Sequence, residues 1–396
     1  MKLSAVNSAS RTFDGVSYRT DYILVAKDRY GQEASLVFQV YIDNDFCAFA
    51  MQFQYNAIGL SFSAEAPMEL YVTLTGKDTT GITTVWSQDG ERLDDVEPDA
   101  LSVTFQHPHQ GLYRCLVTDR YGTAQEVMFH ISVSHSSALR EYEIMVPLGE
   151  TMQIIPNYWT NPKWTSEDEE IATVDATGTV TGVAPGKTYI IATYGDNRAV
   201  CEVTVTFLDV QETTDYFYNP VYWAVARKVT SGYTDKNGKL TGYFGPADTC
   251  TRAQIVTFLY RAAGSPAVDT SNAMSFKDVK NTDYFYKAVI WAAQQGITTG
   301  YTDKNGKPTG YFGSNDPCTR GQVVTFLWRA AGKPKAVRTN ATTFRDVKEK
   351  DYFFDAVVWA ATWKITTGYT GTKKFGPDDP CTRGQVVTFL YRAART

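Results

Sequence analysis

The sequence predicts a multidomain protein, with all-β sandwich modules in its N-terminal half and a mainly α-helical assembly of three packed repeats in its C-terminal half. Three observations predict it. A block of about 60 residues recurs three times after residue 207, apolar and polar residues alternate through 141–206, and a Trp then Tyr-x-Cys pattern marks 47–137. The chain of 396 residues is 43% apolar and 20% charged, which excludes wholesale disorder. Lys+Arg 38 against Asp+Glu 43 leaves a net charge of −5, against a nucleic-acid partner. No apolar run reaches about 18 residues, so membrane insertion is not expected.

Residues 47–137 make the first complete module. Trp86 falls in a strand-like run, and Gly111-Leu-Tyr-Arg-Cys115 puts a tyrosine two residues before a cysteine. That spacing fits the tyrosine corner and strand F of an immunoglobulin-type sandwich, with Trp86 on strand C. The partner run Leu70-Tyr-Val-Thr-Leu-Thr75 has no cysteine, so no inter-sheet disulfide is expected and Cys115 reads as a buried thiol. The six cysteines, at 47, 115, 201, 250, 318 and 381, form no CxxC pair and no metal spacing.

Residues 1–46 echo the end of that module. Tyr22-Ile-Leu-Val-Ala-Lys-Asp28-Arg-Tyr-Gly31 parallels Tyr113-Arg-Cys-Leu-Val-Thr-Asp119-Arg-Tyr-Gly122 at a shift of 91 residues. A partial Ig-like module of C-terminal strands alone exposes edges and core. The expectation is therefore a chain that is the C-terminal part of a longer protein, whose missing region carries a signal peptide. The start Met1-Lys-Leu-Ser-Ala-Val6 itself lacks a leader's apolar stretch. A frayed hairpin docked on the next module is the alternative.

In 138–206, the run from Thr173 to Thr193 reads as strand, Gly turn, strand, Pro185-Gly186 turn, strand, and Val200, Glu202, Val203 and Val205 fall in a closing strand. Trp164-Thr-Ser166, Ile171-Ala-Thr-Val-Asp175 and Gly182-Val-Ala-Pro-Gly186 closely resemble the bacterial Ig-like group 2 family. The resemblance implies a small β-sandwich used as a spacer or adhesive module.

The repeats open with Phe207-Leu-Asp-Val210, Phe276-Lys-Asp-Val279 and Phe344-Arg-Asp-Val347. Asp-Tyr-Phe follows at 215, 283 and 351, then x-Trp-Ala at 222, 290 and 358, and each unit closes on Cys-Thr-Arg-x-Gln at 250, 318 and 381. The third unit is five residues shorter, lacking most of the Asp-Lys-Asn-Gly insert at 235–238 and 303–306. The pattern predicts a first helix near 220–228, 287–295 and 355–363, with Asn219 as cap and Pro220 in the first turn. Gly296 is a helix stop and the Asn-Gly pairs are small hairpins. Thr251, Thr319 and Thr382, each three residues before a Gln, form capping boxes for the second helix. A unit of about 60 residues buries too little alone, so the three must pack together.

These residues resemble the S-layer homology (SLH) family, which opens with F-x-D-V and closes with I-T-R-A-E. Here the closing motif reads C-T-R-A-Q or C-T-R-G-Q: Gln keeps the cap while the family's acidic charge is gone. The resemblance implies a pseudo-threefold bundle with ligand grooves between units, over boundaries 207–267, 268–335 and 336–396. It implies non-covalent anchoring to cell-wall polysaccharide, often one carrying acidic pyruvyl ketals.

Candidate glycan contacts follow. Arg252, Arg320 and Arg383 repeat in the first turn of a helix, where the dipole disfavours a cation by about 0.3–1 kcal/mol. An anionic or hydroxyl-rich ligand there would explain them, and their replacement would leave melting nearly unchanged. The competing reading is a salt bridge to Asp209, Asp278 or Asp346. Tyr233, Tyr301 and Tyr369 are stacking candidates beside Gly232, Gly300 and Gly368, which allow close approach. Trp223, Trp291 and Trp359 divide between core packing and sugar stacking. No catalytic constellation, cofactor or metal site is readable. His107-Pro-His109 reads as a solvated turn, and Asp235-Lys-Asn-Gly238 lacks the glutamate of a calcium loop. The leading expectation is an extracellular wall anchor displaying Ig-like spacers. The alternatives are a lattice-forming surface-layer protein with other such proteins as partners, or the anchor of a surface enzyme or adhesin whose active domain lies upstream.

Overall fold

A computed structural model describes residues 17–27, 33–43, 49–52, 58–72, 81–93, 95–118, 124–271, 275–335, 338–339 and 342–395, those before residue 59 by backbone alone. Cys47 and the two Asp-Arg-Tyr-Gly runs lie outside the described residues. By its internal contacts the chain forms two compact units. One is residues 1–142 with 154–164 and 191–201, the other residues 143–153 with 165–190 and 202–396.

In the first unit, strand Ser17–Lys27 pairs antiparallel with Glu33–Asp43 and Gly111–Thr118 with Ala124–Ser134. Tyr22 faces Phe38, and Tyr113 faces Phe129, so the 91-residue echo preserves the hairpin's register as well as its sequence. Strand Phe49–Gln52 adds to the first hairpin, carrying that sheet past residue 46. The module that follows has a five-stranded sheet with Ile58–Ser63 parallel to Ala124–Ser134, and a two-stranded sheet of Met68–Tyr71 and Ser102–Phe105. Its core holds Trp86, Leu70, Tyr113, Cys115 and Phe129, all buried. Tyr113 donates to the His109 carbonyl at 2.9 Å, which is the tyrosine corner the spacing predicted.

In the second unit, Glu143–Pro147 runs parallel to the end of strand Asn197–Thr206, and Thr151–Gln153, Thr179–Gly182 and Ala172–Val174 make a three-stranded sheet. The alternation seen in sequence is the burial alternation of Gly186–Tyr194.

From residue 207 the chain builds three helix–loop–helix repeats. The first helices are α1 (Tyr218–Ala226), α3 (Tyr286–Gln294) and α5 (Phe354–Thr362); the second are α2 (Arg252–Ala262), α4 (Arg320–Ala330) and α6 (Arg383–Ala393). The expected Asn219 cap is not used: α1 starts earlier, at Tyr218, with Phe217 before it and no side-chain cap. Pro220 still sits in the first turn, where a missing N–H costs nothing because those amides have no intrahelical acceptor. All three second helices carry the full Thr/Gln capping box. After the first helices the chain turns through a left-handed residue: Gly296 at φ 66° in the second repeat, but Lys228 and Lys364 at 56° and 57° in the others. Asp235 accepts the Asn237 and Lys239 amides, so its carboxylate closes the Asn-Gly hairpin.

The repeats close into a ring. Helix α2 packs on α3, α4 on α5 and α6 on α1. The Cys318 amide donates to the Cys250 carbonyl, Cys381 to Cys318 and Cys250 to Cys381, each at 2.9 Å. The cysteines of the closing motif thus mark a pseudo-threefold axis, and all three are buried. Burial pushes the Cys250 and Cys318 thiols up to about 12 and raises Cys381 as well. These thiols stay neutral in the folded state while those of the unfolded chain ionise near pH 9. Their contribution to stability is therefore complete below that pH and is lost as pH rises toward 12. Native protein treated with iodoacetamide at pH 8 should show no label at Cys250, Cys318 or Cys381 by mass spectrometry, and full label after denaturation. Rapid labelling of the native ring would contradict the burial.

Candidate glycan-binding grooves

Each groove is assembled from the repeat motif outward. The Asp of Phe-x-Asp-Val ties the middle loop: Asp278 accepts the Phe312 and Gly313 amides at 2.8 and 2.7 Å, and Asp209 and Asp346 hold the matching pairs. The loop glycines are forced. A Cβ on Gly300, at φ 74°, would stand 2.6 Å from the Tyr311 carbonyl oxygen and 2.7 Å from the Phe276 ring.

Arg252, Arg320 and Arg383 are the first residues of α2, α4 and α6, and each is only 3% exposed. Each donates through Nε to a carbonyl of the next repeat around the ring: Arg252 to Phe312 and Arg320 to Phe375 at 2.9 Å, Arg383 to Phe244 at 2.8 Å. Each guanidinium lies over a loop tyrosine, Arg252 over Tyr301 at 4.5 Å, Arg320 over Tyr369 at 4.7 Å and Arg383 over Tyr233 at 4.3 Å. Two phenylalanine rings complete each box, Phe312 and Phe326 around Arg252. The salt bridge to Asp209, Asp278 or Asp346 does not form, because those carboxylates are committed to loop amides. Among the described residues no carboxylate pairs with the three arginines.

The tyrosines are held in turn. Tyr233, Tyr301 and Tyr369 donate to Asp248, Asp316 and Asp379 at 3.0, 2.9 and 2.8 Å. Burial pushes Tyr233 and Tyr301 up to about 12, with the nearby arginine opposing the rise.

A groove of about 380 Å³ opens beside Arg252, lined by the loop Thr298–Thr302, by Gln322, Thr325 and Arg329 of α4, and by Tyr352 of the third repeat. Its counterpart beside Arg320, about 270 Å³, has the loop Thr366–Thr370, Gln385, Thr388 and Arg392 of α6, and Tyr216 of the first repeat. Arg383, Tyr233 and Arg261 occupy the matching positions at the third junction, where Arg383 and Arg261 act electrostatically on Tyr284. Each of these two grooves draws side chains from all three repeats. The shortened hairpin of the third repeat falls beyond the groove wall, apart from Thr370.

Two groups of lining residues escaped the sequence reading. Arg261, Arg329 and Arg392 donate to the Val229, Ile297 and Ile365 carbonyls. Tyr216, Tyr284 and Tyr352 are exposed and lie edge-on to Phe217, Phe285 and Phe353. Their threefold recurrence in Phe-Leu-x-Arg and Asp-Tyr-Phe was visible, but served only to align the repeats. Burial first, and then the charge of Arg252, holds the Arg329 guanidinium below its usual range. Trp291 and Trp359 are buried and Trp223 half-buried, with Trp223 edge-on to Tyr391 of α6 and Trp291 against Tyr260 of α2. The tryptophans therefore pack helices of neighbouring repeats together and line neither the Arg252 nor the Arg320 groove.

A ring of three matched repeats with a polar, cationic groove at its junctions defines a closed, repeat-built module. Family models match residues 154–205 as a bacterial Ig-like domain (group 2) and residues 206–256, 275–324 and 343–387 as S-layer homology domains. The chain carries one group 2 Ig-like domain followed by three S-layer homology domains. It is 27% identical over 239 residues to an amylopullulanase of Thermoanaerobacterium thermosulfurigenes, covering 59% of this chain and 11% of that protein. It is 26% identical over 201 residues to exoglucanase XynX of Acetivibrio thermocellus, covering 50% and 17%. A surface layer protein of Brevibacillus choshinensis is 33% identical over 107 residues, covering 26% and 9%. The chain thus spans less than a fifth of the length of these relatives. No helix among the described residues is long and apolar enough to cross a membrane.

Proposed function

We propose that the chain is a non-catalytic anchor that holds Ig-like modules, at 47–137 and 138–206, to a bacterial cell wall. Each groove takes an acidic residue of a wall polysaccharide, such as a pyruvylated sugar. The observation that carries this reading is the pair of arginines in one groove, Arg252 with Arg329 or Arg320 with Arg392, with no carboxylate among the described residues paired to either. Two partly desolvated like charges gain most from a bound anion, and guanidinium groups bonded through Nε alone, as in Arg252 and Arg320, or through one Nη alone, as in Arg329 and Arg392, still offer N–H groups to a carboxylate. Threonine hydroxyls and a tyrosine ring around the cations suit the hydroxyls and the apolar face of a sugar. Relatives named as polysaccharide hydrolases and as a surface layer protein support a module that serves different attached activities.

The test is retention of the pure chain on wall sacculi before and after chemical removal of the acidic polysaccharide. Retention should vanish with the polymer, weaken with added salt, and saturate at three charged sugars per chain, since the lining is matched at all three junctions. Undiminished retention on stripped sacculi would refute the anchor.

A further inference from the structure

We infer that the second repeat carries an additional subsite for an uncharged sugar beside its arginine groove, so that this junction reads a charged and a neutral residue in sequence. The inference rests on the anchoring reading above. A separate cavity of about 560 Å³ shares Tyr301 with the groove as part of its wall. Its chemistry is the reverse of the groove's. Asp278 and Asp316 line it in place of arginines, with the Asn315 amide and the half-exposed ring of Tyr311 beside them.

The two carboxylates are not equivalent. Asp278 is committed, accepting the amides of Phe312, Gly313 and Ser314. Asp316 accepts the Tyr301 hydroxyl through Oδ2, which leaves Oδ1 to take a hydroxyl from a ligand. Acceptors of negative charge repel a second acidic sugar and receive the hydroxyls of a neutral one. Lys277 stands over one face of Tyr311 at 5.0 Å, and the ring contributes an apolar surface to the cavity. Because Tyr301 borders both spaces, adjacent residues of one glycan strand can occupy them together.

The cavity's lining is particular to this repeat. Ser314 and Asn315 stand where the first repeat has Pro246 and Ala247 and the third has Pro377 and Asp378, and Tyr311 is matched by Lys374 in the third. Two of the three grooves therefore lack this constellation.

The experiment is calorimetry on the full chain with two probes: a monosaccharide carrying a pyruvyl ketal, and the disaccharide joining it to one neutral hexose. The disaccharide should bind one site of the three about tenfold more tightly than the monosaccharide. Tyr311→Ala and Asn315→Ala, both at exposed positions, should each reduce that gain while leaving the monosaccharide affinity unchanged. Equal affinity for the two probes, or a disaccharide gain untouched by both variants, overturns the subsite and leaves the anchor standing. Failure of both probes to bind overturns the subsite, and retention on stripped sacculi decides the anchoring reading separately.

Discussion

Deleting the third repeat, residues 336–396, is expected to abolish the cooperative unfolding transition of the two that remain. The deletion removes α5 and α6, and with them the packing of α4 on α5 and of α6 on α1. It strips the Cys250 amide of its Cys381 acceptor and leaves the Phe244 carbonyl without Arg383. Two of three junctions go, and domains of this size stand only about 5–15 kcal/mol above unfolding. Residues 207–396 should unfold in urea in one sharp transition followed by tryptophan fluorescence, and residues 207–335 in a broad drift. A sharp transition in the shorter chain would show that the repeats fold independently.

The second large effect concerns Arg383. Its change to Ala should lower stability by about 3–5 kcal/mol. The motif alone suggested a ligand contact with little bearing on melting, but the side chain is 3% exposed, bonded to Phe244 and boxed by three aromatic rings. Losing a buried charge-assisted hydrogen bond costs about 1.5–3 kcal/mol, and a desolvated cation–π contact adds about 2. Arg383→Lys should recover the aromatic part only, because an ammonium has no Nε at the carbonyl's height. Urea titration of both variants tests it: stability of Arg383→Ala within about 0.5 kcal/mol of the parent would return the arginine to a purely ligand-facing role.

The division between what was legible and what was not follows sequence distance. The capping boxes, the Asn-Gly hairpins, the tyrosine corner and the strand alternation are governed by residues within a few positions of one another, and all could be read directly. Asn219 misled because the first turn of a helix tolerates proline at several positions, so the proline does not mark the cap. The arginines stand out in the sequence as cations at helix starts, but their acceptors lie in other repeats: Phe312 is 60 residues from Arg252, and Phe244 is 139 from Arg383. No local pattern announces such a pairing. The same holds for Arg329, which enters the groove only because one face of α4, from Gln322 to Arg329, borders the loop at 298–302.

The ring closed by Cys250, Cys318 and Cys381 has a mechanical corollary. In an open stack of repeats the end member has one neighbour, and tension applied at a terminus peels units away one at a time. Here the first repeat, which receives any pull transmitted through residue 207 from the modules before it, is gripped on one side by the second and on the other by the third. Tension must break both junctions together, so the ring resists shear as a single clasp instead of unzipping from its loaded end.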